Sequence, residues 1–133
     1  MTSTTRALIL FAHGARDPRW SAPFEAVAAH IRAAHESLTV QLAFLDFMSP
    51  DLAGAAAACV ARGATRIDVV PMFLGAGGHV RQDLPPMLDA LRSAHPGARF
   101  MLHPAIGEID AVTRAMAEAI AATVAATTGT PAP

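Results

Sequence analysis

The chain has 133 residues, 53% of them apolar, which predicts a single domain with one continuous core. Its formal net charge of −1, without a lysine-rich block or basic stripe, argues against nucleic acid as a partner. The single cysteine, Cys59, excludes an intrachain disulfide and a multi-cysteine zinc site. No signal peptide and no bilayer-spanning segment are visible, so we expect a cytoplasmic protein without a membrane partner.

The first half of the chain alternates apolar runs with helical patterns. Ala7–Ala12 predicts a strand, Ser21 is a candidate N-cap for a first helix, and Val40–Leu45 predicts a second strand. Ser49–Pro50 is a typical helix start and Gly63 a typical stop, which gives a second helix. The stripes predicted to face the sheet are Phe24, Val27, Ala28, Ile31 and Ala34 in the first helix, and Leu52, Ala55, Ala56 and Cys59 in the second.

The second half repeats this alternation. Ile67–Phe73 is almost entirely apolar, as expected of a strand covered on both faces. The segment Asp83–Pro86 predicts the start of a third helix, which ends at His95–Gly97. Ala98–Leu102 predicts a fourth strand, and a last helix is expected over Asp110–Ala126. Its predicted inner stripe is Ile109, Val112, Met116, Ile120 and Val124.

Strands that alternate with helices of this length indicate βαβ units and a parallel sheet. Right-handed crossovers leave few topologies. We expect an α/β fold: a single flavodoxin-like domain over residues 1–133, with a four-stranded parallel sheet in the order 2-1-3-4 flanked by helices. Residues 1–5 and 127–133 are expected to be disordered tails.

Two histidines follow predicted strands. His13 comes after the first strand, and His79 comes after the third, across a glycine-rich turn. In the order 2-1-3-4 these strands are neighbours, and ligands bind open α/β sheets at the carboxyl ends of such strands. Two imidazoles meeting there could hold one divalent metal ion. The alternative for each is a strand-end histidine that is hydrogen-bonded locally.

The turn before His79 contains Gly75, Gly77 and Gly78. Their spacing matches neither the dinucleotide fingerprint nor a P-loop, and no lysine follows. A floor of small residues beneath a flat ligand fits this segment better.

Other polar residues are predicted at the same edge. Asp46, after the second strand, and His103, after the fourth, could be a further metal ligand or a proton acceptor, although a solvated loop position is the simpler interpretation of each. Arg16 and Arg81 would flank the crevice, where a guanidinium can bind carboxylates in a bidentate manner. Their alternative is an ordinary exposed charge.

Three segments carry a family resemblance: His13–Asp17, Ala43–Asp46 and Pro71–Val80. They resemble the short-type sirohydrochlorin cobaltochelatases of the class II chelatase family, and the resemblance covers about residues 6 to 125. Three features depart from the family pattern. Ala15 stands where serine is usual, and Asp46 where glutamate is frequent. In the loop after the fourth strand, this chain has Glu108–Asp110 where many members have a histidine–proline pair.

The resemblance implies insertion of a divalent metal, taken up as substrate, into a tetrapyrrole without ATP or an organic cofactor. Cobalt is favoured, with ferrous iron and nickel as alternatives. The matching histidines, His13 and His79, would be the catalytic metal ligands. The substrate-binding residues would be Arg16, Asp46, Gly77, Gly78 and Arg81. A single-domain member looks like half of a homodimer that encloses the macrocycle.

Three other functions compete with this one. A carrier would bind metal or tetrapyrrole without turnover, through the same histidines. A histidine phosphatase is suggested by His13 and Arg16, but Ala12 occupies the position where such enzymes have an arginine. A purely structural flavodoxin-like domain would leave the glycine-rich turn and both strand-end histidines unexplained.

Overall fold

The structure, a computed structural model, describes residues 5–75 and 77–127, apart from the side chain of His79. The predicted tails therefore lie outside the described residues, except for Thr5 and Thr127. Ala76, in the glycine-rich turn, also lies outside them.

Four parallel strands form one sheet in the order β2-β1-β3-β4. They are β1 (Arg6–Ala12), β2 (Thr39–Phe44), β3 (Arg66–Pro71) and β4 (Arg99–Leu102). β1 is central, so that Leu10 lies between Leu42 of β2 and Val70 of β3. The predicted α/β class and strand order are confirmed, and each strand end lies within two residues of its predicted position.

In the part of the chain that the structure describes, four α-helices and two short 3₁₀ turns connect and follow the strands. The helices are α1 (Ala22–Ala34), α2 (Leu52–Ala61), α3 (Gly78–Ala94) and α4 (Asp110–Ala126). The 3₁₀ turns are Pro18–Ser21 and Ile106–Glu108.

The main core lies on one face of the sheet, beneath α2 and α3. Alternate strand residues such as Ile9, Phe11 and Ile67 are fully buried there, each contributing about 1.5–3 kcal/mol. The stripe predicted for α2 is confirmed, because all four of its residues are buried. The α3 side chains in this core are Leu84, Leu88 and Leu91.

A smaller core lies on the other face, where α1 packs over β1 and β2. Ala28 of α1 is buried with Leu10 and Val40. The stripe predicted for α1 is too wide, since Val27 and Ala34 are exposed. Successive residues of an α-helix are rotated by 100°, which places these two side chains at the border of the stripe, beyond the part that faces the sheet.

The predicted starts of two helices are wrong. α2 begins at Leu52 rather than at Ser49–Pro50, because the Asp51 side chain accepts a hydrogen bond from the N–H of Gly54 (2.8 Å) and caps the helix. α3 begins at Gly78, five residues before Asp83. Proline is typical of the first helical turn, but Pro85 and Pro86 lie inside α3. Their fixed φ suits a helix, although two backbone hydrogen bonds are lost.

The bounds predicted for α4 are confirmed, but its predicted inner stripe is wrong. None of its residues, all of which the structure describes, is buried, and Ile120 and Val124 are 64% and 68% exposed. The helix packs mainly against the 3₁₀ turn Ile106–Glu108.

Among the described residues, no helix has both the length and the apolar character that crossing a bilayer requires.

Candidate functional site

His13 is the first residue beyond β1, at the carboxyl edge of the sheet. Its side chain is exposed, and its ring lies against that of Phe73, 4.2 Å between centroids, just beyond the end of β3. Its main-chain oxygen accepts a hydrogen bond from the N–H of Asp46 (2.9 Å). His13 is therefore located where β1, β2 and β3 end together, as the sequence predicted, and is not sealed inside the core.

Gly14 allows the loops after β1 and β2 to approach each other closely. Its φ is +86°, a left-handed conformation, and a Cβ built on it would collide with the carbonyl oxygen of Asp46. Any larger residue here would push the Asp46 loop away from His13.

Arg16 and Asp46 are both exposed and belong to these adjoining loops. The Arg16 guanidinium lies 5.0 Å from the centroid of the Phe47 ring, a cation–π contact worth about 0.5–1 kcal/mol at an exposed position. Phe47 has a φ of 67°, which is uncommon for a bulky residue and is typical of functional loops. The structure thus brings two of the predicted substrate-binding residues together beside His13.

The glycine-rich segment forms the N-terminus of α3, with Gly77 as the N-cap and Gly78 as the first helical residue. Both are exposed, and a Cβ at Gly75, Gly77 or Gly78 would meet none of the described atoms within 4 Å. Packing within this chain therefore does not require glycine at these positions. Open space above a helix N-terminus, with its unpaired N–H groups, suits close approach of a ligand.

The main chain of His79 lies in the first turn of α3, but its side chain is outside the described residues. The first turns of α3 adjoin the end of β3, because Val80, Asp83, Phe73 and Leu45 line one small cavity. The backbone that carries His79 is thus close to the Phe73 ring on which His13 packs.

Arg81 is located at the predicted edge but is already engaged. Its Nη2 donates a hydrogen bond to Oε1 of Glu108 (2.7 Å), and the two side chains are 65% and 38% exposed. Both residues line a cavity of about 280 Å³ that also includes His103. The ion pair links α3 to the 3₁₀ turn after β4.

His103 is more than a solvated loop residue, because its Nε2 lies 2.7 Å from Oδ1 of Asp68. Asp68 is 6% exposed and also contacts Arg66 (3.3 Å) and Arg6 (3.5 Å). Burial alone would raise the pKa of Asp68, but the hydrogen bonds from His103 and Arg66 outweigh it and lower the pKa below its usual range.

Three exposed apolar side chains that sequence reasoning missed surround this edge. Leu45 and Phe47 follow β2 and Leu74 follows β3, with exposed fractions of 40%, 64% and 69%. We call Leu45, Phe47 and Leu74 the apolar rim. A cluster of exposed large apolar groups beside a polar site is typical of a ligand-binding surface.

Within the described residues, no three His, Cys, Asp or Glu side chains are grouped closely enough to hold a metal ion. Among these residues, His13 therefore has no pair of neighbouring side chains that would complete a three-ligand metal site. Two-histidine ligation involving His79 stays a prediction.

A family model described as CbiX matches residues 7–123 of this chain. The chain belongs to the CbiX family. Among its relatives, the sirohydrochlorin ferrochelatase of Bacillus subtilis is 30% identical over 112 residues, covering 84% of this chain. The sirohydrochlorin cobaltochelatase of Methanocaldococcus jannaschii is 30% identical over 89 residues, covering 67% of this chain and 62% of the relative.

Solved structures agree with the fold of this CbiX family member. A CbiX protein from Marinobacter aquaeolei has a TM-score of 0.79 and 29% identity, covering 92% of this chain and 99% of the other. The sirohydrochlorin chelatase SirB of Bacillus subtilis subspecies spizizenii, in complex with cobalt, has a TM-score of 0.75 and 25% identity, covering 90% of this chain.

The chain spans about half the length of several of these relatives. It covers 42% of the Bacillus subtilis ferrochelatase and 51% of the SirB chain. In both cases the relative contains further sequence of about the same length as this chain.

Proposed function

We propose that the protein is a sirohydrochlorin chelatase, which inserts a divalent metal ion into a tetrapyrrole without ATP. The observation that carries the proposal is the exposed His13 ring against Phe73, at an edge bordered by the apolar rim. The CbiX family match and the chelatase names of the relatives support the same reaction.

In this proposal His13 and His79 hold the incoming metal. Neutral imidazole binds cobalt, iron and nickel alike. Only two protein ligands leave coordination positions free, and the pyrrole nitrogens can occupy these as solvent leaves. Such an open site suits transfer of the metal rather than storage.

The reaction releases two pyrrole N–H protons for each divalent ion inserted, and these need an acceptor. Asp46 and Glu108 are candidates through water, together with one of the site histidines. Asp46 is favoured because it is exposed and its N–H is bonded to the His13 carbonyl, whereas Glu108 is paired with Arg81.

The macrocycle would lie flat on this edge. The apolar rim would contact its plane, and the open surface at Gly77 and Gly78 would allow close approach. Sirohydrochlorin carries peripheral carboxylates, which Arg16 and Arg81 would bind. Binding there requires Arg81 to turn from Glu108 or to bind both groups.

We further propose that the working unit is a cytoplasmic homodimer. A flat macrocycle on one sheet edge leaves its second side open. The relatives of about twice this length support the idea that a second copy covers that side.

Metal-competition kinetics would test the proposal. Sirohydrochlorin would be incubated with the protein and Co²⁺, Fe²⁺ or Ni²⁺, and the absorbance change of insertion followed. Insertion accelerated above the protein-free rate is expected, with cobalt preferred. Binding without accelerated insertion would support the carrier function instead. Faster insertion of iron or nickel than of cobalt would change the metal assigned to the enzyme.

A further inference from the structure

Residues 74–81, which we call the His79 segment, contain three glycines and enter α3 without a side-chain cap in the described part of the chain. Glycine loses more backbone freedom on folding than any other residue, so the segment is weakly fixed by its own chemistry. Val80 is half-buried against the main core and supplies one anchor. The position of the His79 backbone therefore depends on which other elements hold the segment.

The 3₁₀ turn Ile106–Glu108 contacts the His79 segment at its N-terminal end. The N–H of Gly107 donates a hydrogen bond to the carbonyl oxygen of Phe73 (3.0 Å), directly before Leu74. A Cβ built on Gly107 would collide with the main chain of Leu74, so glycine is required for this close approach. The turn thus holds the chain where it leaves β3 and enters the glycine-rich region.

The same turn contacts the His79 segment again at its C-terminal end. Nη2 of Arg81 donates a hydrogen bond to Oε1 of Glu108 (2.7 Å), two residues after His79. The N–H of Arg81 also donates to the carbonyl oxygen of Gly77 (3.1 Å), which closes the first turn of α3. The ion pair therefore connects that first turn to the residues that follow β4.

The turn Ile106–Glu108 is itself held in place by the core and by α4. Ala105, directly before it, is 6% exposed and belongs to the main core. The carbonyl oxygen of Ala105 accepts a hydrogen bond from the N–H of Glu108 (2.9 Å), and α4 packs against the turn. Because the turn is fixed in this way, it can restrict the movement of a neighbouring segment.

We propose that the turn Ile106–Glu108 positions the backbone of His79, with Gly107 and Glu108 as positioning residues. One turn holds the His79 segment at both ends, through Gly107 at the first and Glu108 at the second. Glu108 then acts through Arg81 and does not accept the pyrrole protons. The inference rests on the proposed function only in taking His79 as a metal ligand, and the positioning is measurable without metal.

The effect of the ion pair should be modest and local. The side chains of Arg81 and Glu108 are 65% and 38% exposed, and pairs of this kind shift an equilibrium by up to about fivefold. Metal would bind through His79 only while the first turn of α3 is formed. The apparent dissociation constant then rises by the factor by which the formed population falls.

Amide hydrogen exchange of the intact chain tests the positioning directly. Glu108→Ala should accelerate exchange of the Arg81 amide about two- to fivefold, while the Ala55 amide, which closes the first turn of α2, stays unchanged. Gly107→Ala should likewise accelerate exchange at Arg81 more than at Ala55. Asp89→Ala, which removes an exposed ion pair elsewhere on α3, is the matched control and should alter neither amide. Equal exchange at Arg81 in the wild type and Glu108→Ala would overturn the proposal.

Cobalt titration and insertion kinetics separate positioning from proton transfer. Glu108→Ala should weaken Co²⁺ binding about two- to fivefold, with an insertion rate at saturating Co²⁺ within about twofold of the wild type. Glu108→Gln keeps an acceptor oxygen for Arg81 but cannot take up a proton, so its Co²⁺ affinity should lie closer to that of the wild type.

Unchanged Co²⁺ affinity in Glu108→Ala would contradict the proposal. So would an equal loss of rate, about 100-fold or more, in Glu108→Ala and Glu108→Gln, because that result identifies Glu108 as the proton acceptor. A wild-type chain that accelerates no insertion would refute the chelatase function, whereas the exchange rates at Arg81 would still decide whether the turn holds the His79 segment.

Discussion

The imidazole ring of His13 packs against the phenyl ring of Phe73 with 4.2 Å between centroids and an angle of 36° between planes. A contact of this kind contributes about 0.5–1.5 kcal/mol and restricts the ring. Because Phe73 is 2% exposed, it is itself held by the core. A buried residue beyond β3 thus orients an exposed residue beyond β1, which is how a rigid scaffold preorganises a side chain at a site.

Replacing either proposed metal ligand should abolish most of the activity. We expect His13→Ala and His79→Ala each to lower the insertion rate by at least about 100-fold, since loss of even an outer-shell partner costs up to that much. The thermal midpoint of His13→Ala should fall by no more than about 5 °C, because the exposed ring loses only its contact with Phe73. Stopped-flow absorbance and thermal melts measure both effects.

His30→Ala is the matched control, because His30 is an exposed histidine on α1, away from the sheet edge. It should retain the wild-type rate. Near-normal insertion by both site variants would remove the two histidines from the mechanism.

Gly14 is predicted to be required for stability. Gly14→Ala should lower the free energy of unfolding by at least about 2 kcal/mol, because alanine is strained at a φ of +86° and its Cβ collides with the Asp46 carbonyl oxygen. Urea denaturation gives the difference. A variant as stable as the wild type would show that the two loops can separate freely.

Gly78 should behave in the opposite way. Gly78 is helical, and a Cβ there meets no atom of the described part of the chain within 4 Å. Gly78→Ala should therefore leave the free energy of unfolding unchanged or raise it by up to about 1 kcal/mol. If a macrocycle approaches this surface, the added methyl should raise KM for sirohydrochlorin. An unchanged KM would mean that the glycine does not contact the substrate.

Much of the fold could be predicted from the sequence because its strands are short apolar runs. Ile67–Phe73 is apolar along most of its length, which indicates a buried strand, and β3 is indeed mostly buried. Right-handed crossovers leave few topologies, and the flavodoxin-like order 2-1-3-4 expected among them places His13 at the end of a central strand. The buried side of α2 could also be predicted, because a helix of small residues packs closely on a sheet and buries one face.

The start of α3 and the inner stripe of α4 were predicted wrongly, for physical reasons that hydrophobic periodicity does not reveal. Pro85–Pro86 is a first-turn signal only when nothing before it is helical, and the glycines of the α3 N-terminus carry little helical signal of their own. The stripe of α4 has correct spacing, but periodicity identifies an apolar face without saying which surface covers it.

At the site, the sequence predicted the polar residues better than the apolar rim. Leu45 falls at the end of a predicted strand, and single exposed apolar residues such as Phe47 and Leu74 are too common to indicate a site. Their position directly after buried strands was the available signal. The Asp68–His103 pair joins residues 35 apart, and only the register of β3 and β4 reveals it.

Asp68 should make stability depend on pH in the acid range. Its pKa is lowered in the folded state, because the bonds to His103 and Arg66 outweigh burial. A lowered pKa stabilises the fold above the unfolded-state value of about 3.9, and this contribution is lost as pH falls through the folded value. Asp68→Asn should therefore flatten the decline of the unfolding free energy below about pH 5.

Urea titrations at several pH values would measure this slope for the wild type and Asp68→Asn. Asp89→Asn is the control, because that carboxylate is 76% exposed and its ion pair with Arg92 is expected to contribute little. Equal slopes for the wild type and Asp68→Asn would assign acid sensitivity to other groups.

The apolar rim should contribute to substrate binding rather than to stability. Leu74 is 69% exposed, so Leu74→Ser should change the free energy of unfolding by no more than about 0.5 kcal/mol. If the plane of the macrocycle covers this side chain, the variant should raise KM for sirohydrochlorin several-fold while metal affinity stays unchanged. Steady-state insertion kinetics and metal titration separate the two quantities. Val27→Ser on α1, another exposed apolar position, should alter neither, and an unchanged KM for Leu74→Ser would place the macrocycle elsewhere.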